Sequence, residues 1–70
     1  MTDLVLRDDR DGCAVLTLNR PDKLNALTVA LFAELEAHVD AIAGQTDRVG
    51  LVVLRGAGKC FSAGHDLNDI

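Results

Sequence analysis

The chain has 70 residues, a formal net charge of −4 at pH 7 and a hydrophobic share of 49%, with only two aromatic residues. This length allows one small domain, and the acidic balance argues against nucleic acid as a partner. No apolar run approaches the roughly 20 residues that span a bilayer, and the acidic start differs from a secretion signal, so we expect a cytoplasmic protein without a membrane partner.

Two strands are predicted at the start of the chain. Residues 4–7 form the first, and residues 8–12 have turn chemistry that ends in an Asp-Gly pair, which favours a hairpin. Residues 13–19 alternate between two faces, which predicts a half-buried strand with an inner face of Ala14, Leu16 and Leu18. Pro21 ends this strand because it has no N–H to donate and restricts the residue before it.

A helix and another strand follow. Residues 28–43 have one apolar stripe, formed by Leu31, Leu35, Val39 and Ile42. Thr28 provides an N-cap and Gly44 an end, while the acidic side chains of this helix are interpreted as aids to solubility. Residues 49–55 contain four consecutive apolar residues, which predicts a strand covered on both faces.

The predicted order is therefore β-β-α-β, followed by a Gly-rich loop that opens a helix near Asp66. A strand, a helix and a second strand with this pattern form a βαβ unit with a right-handed crossover. The fold class is α/β, and residues 1–70 are predicted to form a single partial domain at the beginning of a larger layered sheet.

The cysteines and histidines show no metal-binding pattern. Two cysteines and two histidines at scattered positions lack zinc-site spacing, so no metal site is predicted. Cys13 and Cys60 are interpreted as small buried residues in a reducing compartment, and His38 as a partly exposed helix residue. A thiol redox role for Cys60 stays open as an alternative.

The Gly-rich loop at residues 56–67 matches neither of two familiar phosphate-binding motifs. Cys60 stands where a P-loop needs Ser or Thr, and Phe61 stands where a dinucleotide fingerprint needs its third glycine. Main-chain N–H groups of Gly64 and its neighbours could instead form an anion hole, which suits the oxygen of a thioester. A purely structural turn is the alternative.

Two separated motifs carry a family resemblance. The sequence LNRPDKLNAL at residues 18–27 and the sequence KCFSAGHDL at residues 59–67 resemble the N-terminal part of the enoyl-CoA hydratase/isomerase (crotonase) superfamily. The helix and strand between them occur in the family's order. The resemblance covers essentially the whole chain and implies the first part of a ββα superhelix that handles acyl-CoA thioesters. Coenzyme A is then part of the substrate, and no covalently bound cofactor is expected.

The resemblance also implies roles for individual residues. The backbone N–H of His65 takes the position of the first oxyanion donor, while Asn25 fixes its turn rather than contacting the ligand. The imidazole of His65 departs from the small residue common at this position, and it either packs aside or enters the acyl pocket. The residues expected to contact the substrate or coenzyme A are Lys23, Leu24, Ala26, Ala63, Gly64, His65, Asp66 and Leu67.

Further requirements of the family chemistry fall outside these 70 residues. The resemblance places a second oxyanion donor and the proton-transferring carboxylates beyond residue 70, and Glu34 and Glu36 cannot replace them. We therefore expect the segment alone to be inactive and the intact protein to be a hydratase or isomerase that forms homotrimers or hexamers. The alternative is a non-catalytic CoA-binding or assembly module. An open sheet edge predicts weak stability or self-association of the isolated segment.

Overall fold

The computed structural model describes residues 3–69, which form a three-stranded sheet with one helix on it. The elements are β1 (Val5–Arg10), β2 (Cys13–Leu18), α1 (Val29–Ala43) and β3 (Leu51–Gly56). Single 3₁₀ turns occur at Pro21–Lys23 and Leu67–Asp69. The predicted α/β class and the order β-β-α-β are confirmed.

The strands β1 and β2 form a tight hairpin. They are antiparallel, and Arg10 pairs with Cys13, so that the loop contains only Asp11 and Gly12. Both loop residues have positive φ values, 49° and 80°, as the compact turn of a two-residue hairpin requires. The prediction that residues 8–12 are all turn was wrong, because this short loop lets strand pairing continue to Arg10.

The strand β3 lies parallel to β2 on the side away from β1. Cys13 pairs with Leu51 and Leu18 pairs with Gly56, so both strands end at the same edge of the sheet. The connection through α1 confirms the predicted βαβ unit. Because the carboxyl ends of β2 and β3 lie side by side, the segments that follow Leu18 and Gly56 are brought together.

The core lies between α1 and the inner face of the sheet, and it consists of Val5, Ala14, Leu16, Leu18, Leu31 and Ile42. The predicted inner face of β2 is confirmed. Thr28 caps the helix as predicted, with its hydroxyl accepting a hydrogen bond from the N–H of Leu31 at 3.1 Å. Val39, predicted to lie on the buried stripe, is 49% exposed. Each four-residue step advances about 40° around a helix, so Val39 has rotated about 80° away from Leu31.

One acidic side chain on α1 has a structural role that the sequence did not suggest. Oε1 of Glu34 accepts hydrogen bonds from the backbone N–H groups of Leu4 at 2.9 Å and Val5 at 3.2 Å. The carboxylate thereby fixes the beginning of β1 against the helix. The interpretation of Glu34 as a solubility residue was wrong.

The four apolar residues of β3 are the main departure from the predicted core. Residues 51–54 are between 39% and 59% exposed, so within residues 3–69 neither face of this strand is covered. The helix packs on β1 and β2 instead. An apolar strand at an open edge is a surface that favours association.

Within the described part of the chain, no helix is long and apolar enough to cross a membrane.

Candidate functional site

Two segments meet where β2 and β3 end. The turn segment, residues 19–27, follows β2, and the loop segment, residues 56–69, begins with the last residue of β3. The turn segment contains two consecutive residues in the left-handed region, Leu24 with φ 52° and Asn25 with φ 53°. This conformation reverses the chain directly after the 3₁₀ turn and directs it towards the loop segment.

Asn25 holds the two segments together from the inside. Its side chain is fully buried, and its Oδ1 accepts a hydrogen bond from the N–H of Arg20 at 2.9 Å. Its Nδ2 donates to the carbonyl oxygens of Ala57 at 2.8 Å and Cys60 at 3.0 Å. An amide side chain alone offers both an acceptor and two donors in this space. The prediction that Asn25 fixes the turn is confirmed.

Further hydrogen bonds run between the two segments. Three of them are backbone bonds at 2.8–2.9 Å, and another comes from the Ser62 hydroxyl at 2.7 Å. The donor–acceptor pairs are Ala63 N to Leu24 O, Leu27 N to Gly64 O, Asp66 N to Leu27 O, and Ser62 Oγ to Asn25 O. The predicted coenzyme A segment and the predicted oxyanion segment therefore form one hydrogen-bonded unit.

The backbone N–H of His65 lies between two groups of the loop segment that are fixed by hydrogen bonds. The neighbouring Gly64 C=O and Asp66 N–H both bond to Leu27, whereas the His65 N–H has no acceptor among residues 3–69. The carbonyl of Gly64 and the N–H of His65 belong to one planar trans peptide, so they point in opposite directions. The His65 N–H is thus directed away from the turn segment.

An ion pair connects the ends of the two segments. Nη1 of Arg20 lies 3.4 Å from Oδ2 of Asp66, and each side chain is 17% exposed. Oδ1 of Asp66 accepts a hydrogen bond from the N–H of Asn68 at 3.0 Å. That N–H, and then the Arg20 guanidinium, hold the pKa of Asp66 below its usual range, although partial burial opposes the shift. Asp66 both begins the last turn and holds the loop.

The helix expected near Asp66 is only a three-residue 3₁₀ turn, Leu67–Asp69. The turn begins at the predicted position, and within residues 3–69 one hydrogen bond closes it, from Asp69 N to Asp66 O at 2.9 Å. A helix dipole needs several aligned peptide units. Within these residues, individual N–H groups rather than a helix dipole would therefore meet an anion.

Two glycines of the loop segment are needed because the protein's own atoms pack closely against them. A Cβ on Gly56 would lie 2.3 Å from the carbonyl oxygen of Phe61, and one on Gly58 would lie 3.0 Å from the side chain of Pro21. Gly64 has open space around it and a φ of 98°. Of these three positions, only Gly64 would leave open space around an added Cβ.

The predicted contact residues lie together on this unit with different exposure. Ala26, Gly64 and Asp66 are half-buried, and the others are exposed: Lys23, Leu24, Ala63, His65 and Leu67. The side chain of His65 makes no hydrogen bond within residues 3–69. Among these residues it lies at the surface, and both the packed-aside or hydrogen-bonded side chain and the side chain that enters the acyl pocket stay predictions.

A cavity that Cys13 helps to line lies apart from this site. Cys13 and Cys60 are free and half-buried, and Cys60 donates weakly to the carbonyl of Leu24 at 3.5 Å. A cavity of about 440 Å³ lies at the opposite end of the strands, around the hairpin loop. Arg7 in the lining of this cavity forms an ion pair with Asp9 at 2.8 Å and donates a hydrogen bond to the Gln45 side chain at 2.7 Å. The hydrogen bond from Arg7 lowers the pKa of Asp9.

Comparison with known proteins identifies the family. The family model described as enoyl-CoA hydratase/isomerase matches residues 13–70. The chain belongs to the enoyl-CoA hydratase/isomerase family. The predicted resemblance to the crotonase superfamily is confirmed, and the fold is the N-terminal part of the fold that these enzymes share.

Individual members of the enoyl-CoA hydratase/isomerase family support this result. The chain is 40% identical over 67 residues to a probable enoyl-CoA hydratase of Rhizobium meliloti, covering 94% of this chain and 25% of the relative. It is 36% identical over 69 residues to the 1,2-epoxyphenylacetyl-CoA isomerase of Escherichia coli, covering 99% of this chain and 26% of the relative. The chain thus spans about a quarter of the length of these curated relatives.

A solved family structure matches the same region. The crystal structure of enoyl-CoA hydratase from Mycobacterium tuberculosis H37Rv has a TM-score of 0.85 and 40% sequence identity. The match covers 96% of this chain and 30% of that chain. The chain thus has the N-terminal fold of this family over almost its whole length, while the individual site roles are argued from the geometry described above.

Sequence reasoning missed three contributors to this family site. Arg20 uses its side chain to join the two segments. The Ser62 hydroxyl donates to the carbonyl of Asn25 and accepts a hydrogen bond from the N–H of Gly64 at 3.1 Å. Gly56 allows the loop to return close to the strand end. Arg20 and Ser62 lie inside the two motifs and Gly56 lies shortly before the second, but the sequence alone does not show which groups face each other.

Proposed function

We propose that this segment binds an acyl-CoA thioester and polarises its carbonyl group through the backbone N–H of His65. In the intact protein the reaction would be hydration or isomerisation at the carbon–carbon double bond beside the thioester. The family, whose members include hydratases and an isomerase, supports this reaction class. The proposal for the donor rests on the loop segment.

One observation carries the proposal. The His65 N–H has no acceptor within residues 3–69, whereas the carbonyl of its own peptide group and the N–H of the next peptide group are fixed by bonds to Leu27. A donor held in a fixed direction costs no reorganisation when negative charge develops on a bound oxygen. The unpaired N–H therefore supports a role as an oxyanion donor, with the acyl pocket on the side away from the turn segment.

Coenzyme A is proposed to lie along the turn segment. Lys23 is exposed, and Lys59 is joined to Gly58, which packs against Pro21, two residues before Lys23. Two lysines at this end can meet phosphate groups that the acidic net charge would otherwise repel. The exposed Leu24 and Ala63, whose backbones are hydrogen-bonded to each other, would contact the thioester arm.

The proposed chemistry divides between this segment and the rest of the protein. The His65 N–H would donate to the thioester oxygen as the carbonyl acquires enolate character, and one such donor is worth about 10²–10³-fold in rate. The resemblance assigns the second donor and the proton-transferring carboxylates to later residues. The segment would therefore bind and polarise the substrate, while proton transfer depends on groups outside it.

A chimera tests the proposed function directly. The 70-residue chain replaces the matched 30% of the Mycobacterium tuberculosis enoyl-CoA hydratase, and hydration of crotonyl-CoA is followed by the loss of its enoyl absorbance. We expect turnover by the chimera, and none by the isolated chain or by the enzyme that lacks its own matched segment. A chimera that binds crotonyl-CoA without hydrating it would favour the non-catalytic CoA-binding module.

The donor itself can be removed by one substitution in the chimera. His65→Pro deletes the N–H, and it breaks no bond to Leu27 because that pairing uses the Gly64 C=O and the Asp66 N–H. We expect kcat for crotonyl-CoA hydration to fall about 10²–10³-fold. His65→Ala is the matched control, since it keeps the N–H and should retain kcat within about threefold.

The two variants separate the backbone role from a side-chain role. Equal activity of His65→Pro and the unaltered chimera would contradict the proposed donor. A large loss in His65→Ala would instead show that the imidazole takes part, as an exposed histidine beside the acyl pocket could. Thermal midpoints of both variants show whether a loss of kcat merely follows a loss of stability.

A further inference from the structure

A negatively charged residue follows the proposed oxyanion donor in the sequence. Asp66 follows His65 directly, and a carboxyl with a lowered pKa is ionised at neutral pH. Its charge opposes the negative charge that would develop on the thioester oxygen, because like charges repel. An effective donor at His65 therefore needs a group that offsets Asp66.

Arg20 is placed to provide that offset. Its Nη1 lies 3.4 Å from Oδ2 of Asp66, and both side chains are 17% exposed. Partial burial reduces solvent screening, so the two charges neutralise each other more completely than an exposed pair would. Lys23 contributes a weaker attraction to the same carboxylate.

The same nitrogen of Arg20 also holds the turn segment. Nη1 donates to the carbonyl oxygen of Ala26 at 2.7 Å, and the backbone N–H of Arg20 donates to Oδ1 of Asn25 at 2.9 Å. Leu27, the next residue after Ala26, forms both hydrogen bonds that orient the peptides around His65. The Arg20 guanidinium thus contacts both the peptide group that joins Ala26 to Leu27 and the carboxylate of Asp66, the residue after the proposed donor.

We propose that the ion pair between Arg20 and Asp66 positions the His65 amide and neutralises the charge beside it. Both are positioning residues, since neither is placed against the reacting atoms. The inference rests on the proposed function. It adds a requirement that backbone geometry alone does not impose: the donor loses strength when Asp66 is charged and Arg20 is absent.

A charge-rescue experiment in the chimera tests this requirement. Arg20→Met removes the cation and leaves Asp66 uncompensated, and we expect kcat for crotonyl-CoA hydration to fall about 10- to 100-fold. Adding Asp66→Asn to Arg20→Met removes the remaining charge, and kcat should recover about threefold or more. A purely structural pair predicts the opposite, because the double variant would then be no better than Arg20→Met.

Controls separate this effect from stability and from the proposed function. Arg55→Met removes an exposed arginine that forms no ion pair within residues 3–69, and it should keep kcat within about twofold. Arg20→Lys keeps the positive charge, and its kcat should lie between that of Arg20→Met and that of the unaltered chimera. If Arg20→Met fails to fold, Arg20→Lys takes its place in the comparison. Thermal midpoints are measured for all variants.

The outcomes are distinct. The inference is overturned if Arg20→Met keeps kcat within about twofold, or if the double variant is no more active than Arg20→Met. Failure of the unaltered chimera to bind or hydrate crotonyl-CoA would overturn the proposed function itself, before any variant is compared. Recovery in the double variant supports charge neutralisation beside the His65 amide.

Discussion

Replacing Asn25 with alanine in the chimera is expected to lower the free energy of unfolding by about 4 kcal/mol. The side chain is fully buried, and its loss would leave one backbone N–H and two carbonyl oxygens without their present partners. Each unsatisfied buried group costs about 1–3 kcal/mol, and alanine also tolerates the left-handed backbone at φ 53° less well than asparagine.

Thermal and urea unfolding of the chimera measure this effect. For a protein of this size the thermal midpoint should fall by about 10 °C. Asn25→Asp is the sharper variant, because it keeps the shape and the acceptor but places a carboxylate against the carbonyl oxygens of Ala57 and Cys60. Asn68→Ala is the matched control: that side chain is exposed, and it should change stability by less than about 0.5 kcal/mol. Equal losses at positions 25 and 68 would refute the role assigned to Asn25.

The sequence predicted the parts of the fold that depend on local pattern. Alternation in β2 identified its inner face, Asp-Gly located the hairpin, and Thr28 marked the beginning of the helix, because each feature reflects a neighbouring backbone requirement. The family motifs located the site for a related reason. They mark the two positions at which the chain leaves parallel strands at one edge of the sheet.

The errors arose where the outcome depends on distant residues. The four apolar residues of β3 suggested burial on both faces, but what covers a strand depends on chain that packs against it, and residues 3–69 supply none. Glu34 looked like an exposed helix residue, yet it accepts two N–H groups about thirty positions away in sequence. The ion pair of Arg20 with Asp66 spans 46 positions, and no local pattern reports such a contact.

Gly56 begins the Gly-rich loop, and the structure assigns it a role in packing. A Cβ at this position would lie 2.3 Å from the carbonyl oxygen of Phe61 and 2.6 Å from that of Cys60. Real Cβ atoms do not approach backbone oxygens so closely, and backbone cannot move aside as a flexible side chain can. The glycine is therefore needed because the loop returns directly over the end of β3.

Gly56→Ala in the chimera should consequently lower the free energy of unfolding by about 4 kcal/mol, at the upper end for a single added methyl group. The returning backbone would have to shift, which would move the carbonyl of Cys60 away from Nδ2 of Asn25 and loosen the segment that carries His65. Activity should therefore fall together with stability. Gly50→Ala makes the same change where a Cβ would meet nothing within 4 Å, and it should be neutral or slightly stabilising. If Gly56→Ala unfolds at the same urea concentration as Gly50→Ala, close packing of the loop on Gly56 does not hold the site together.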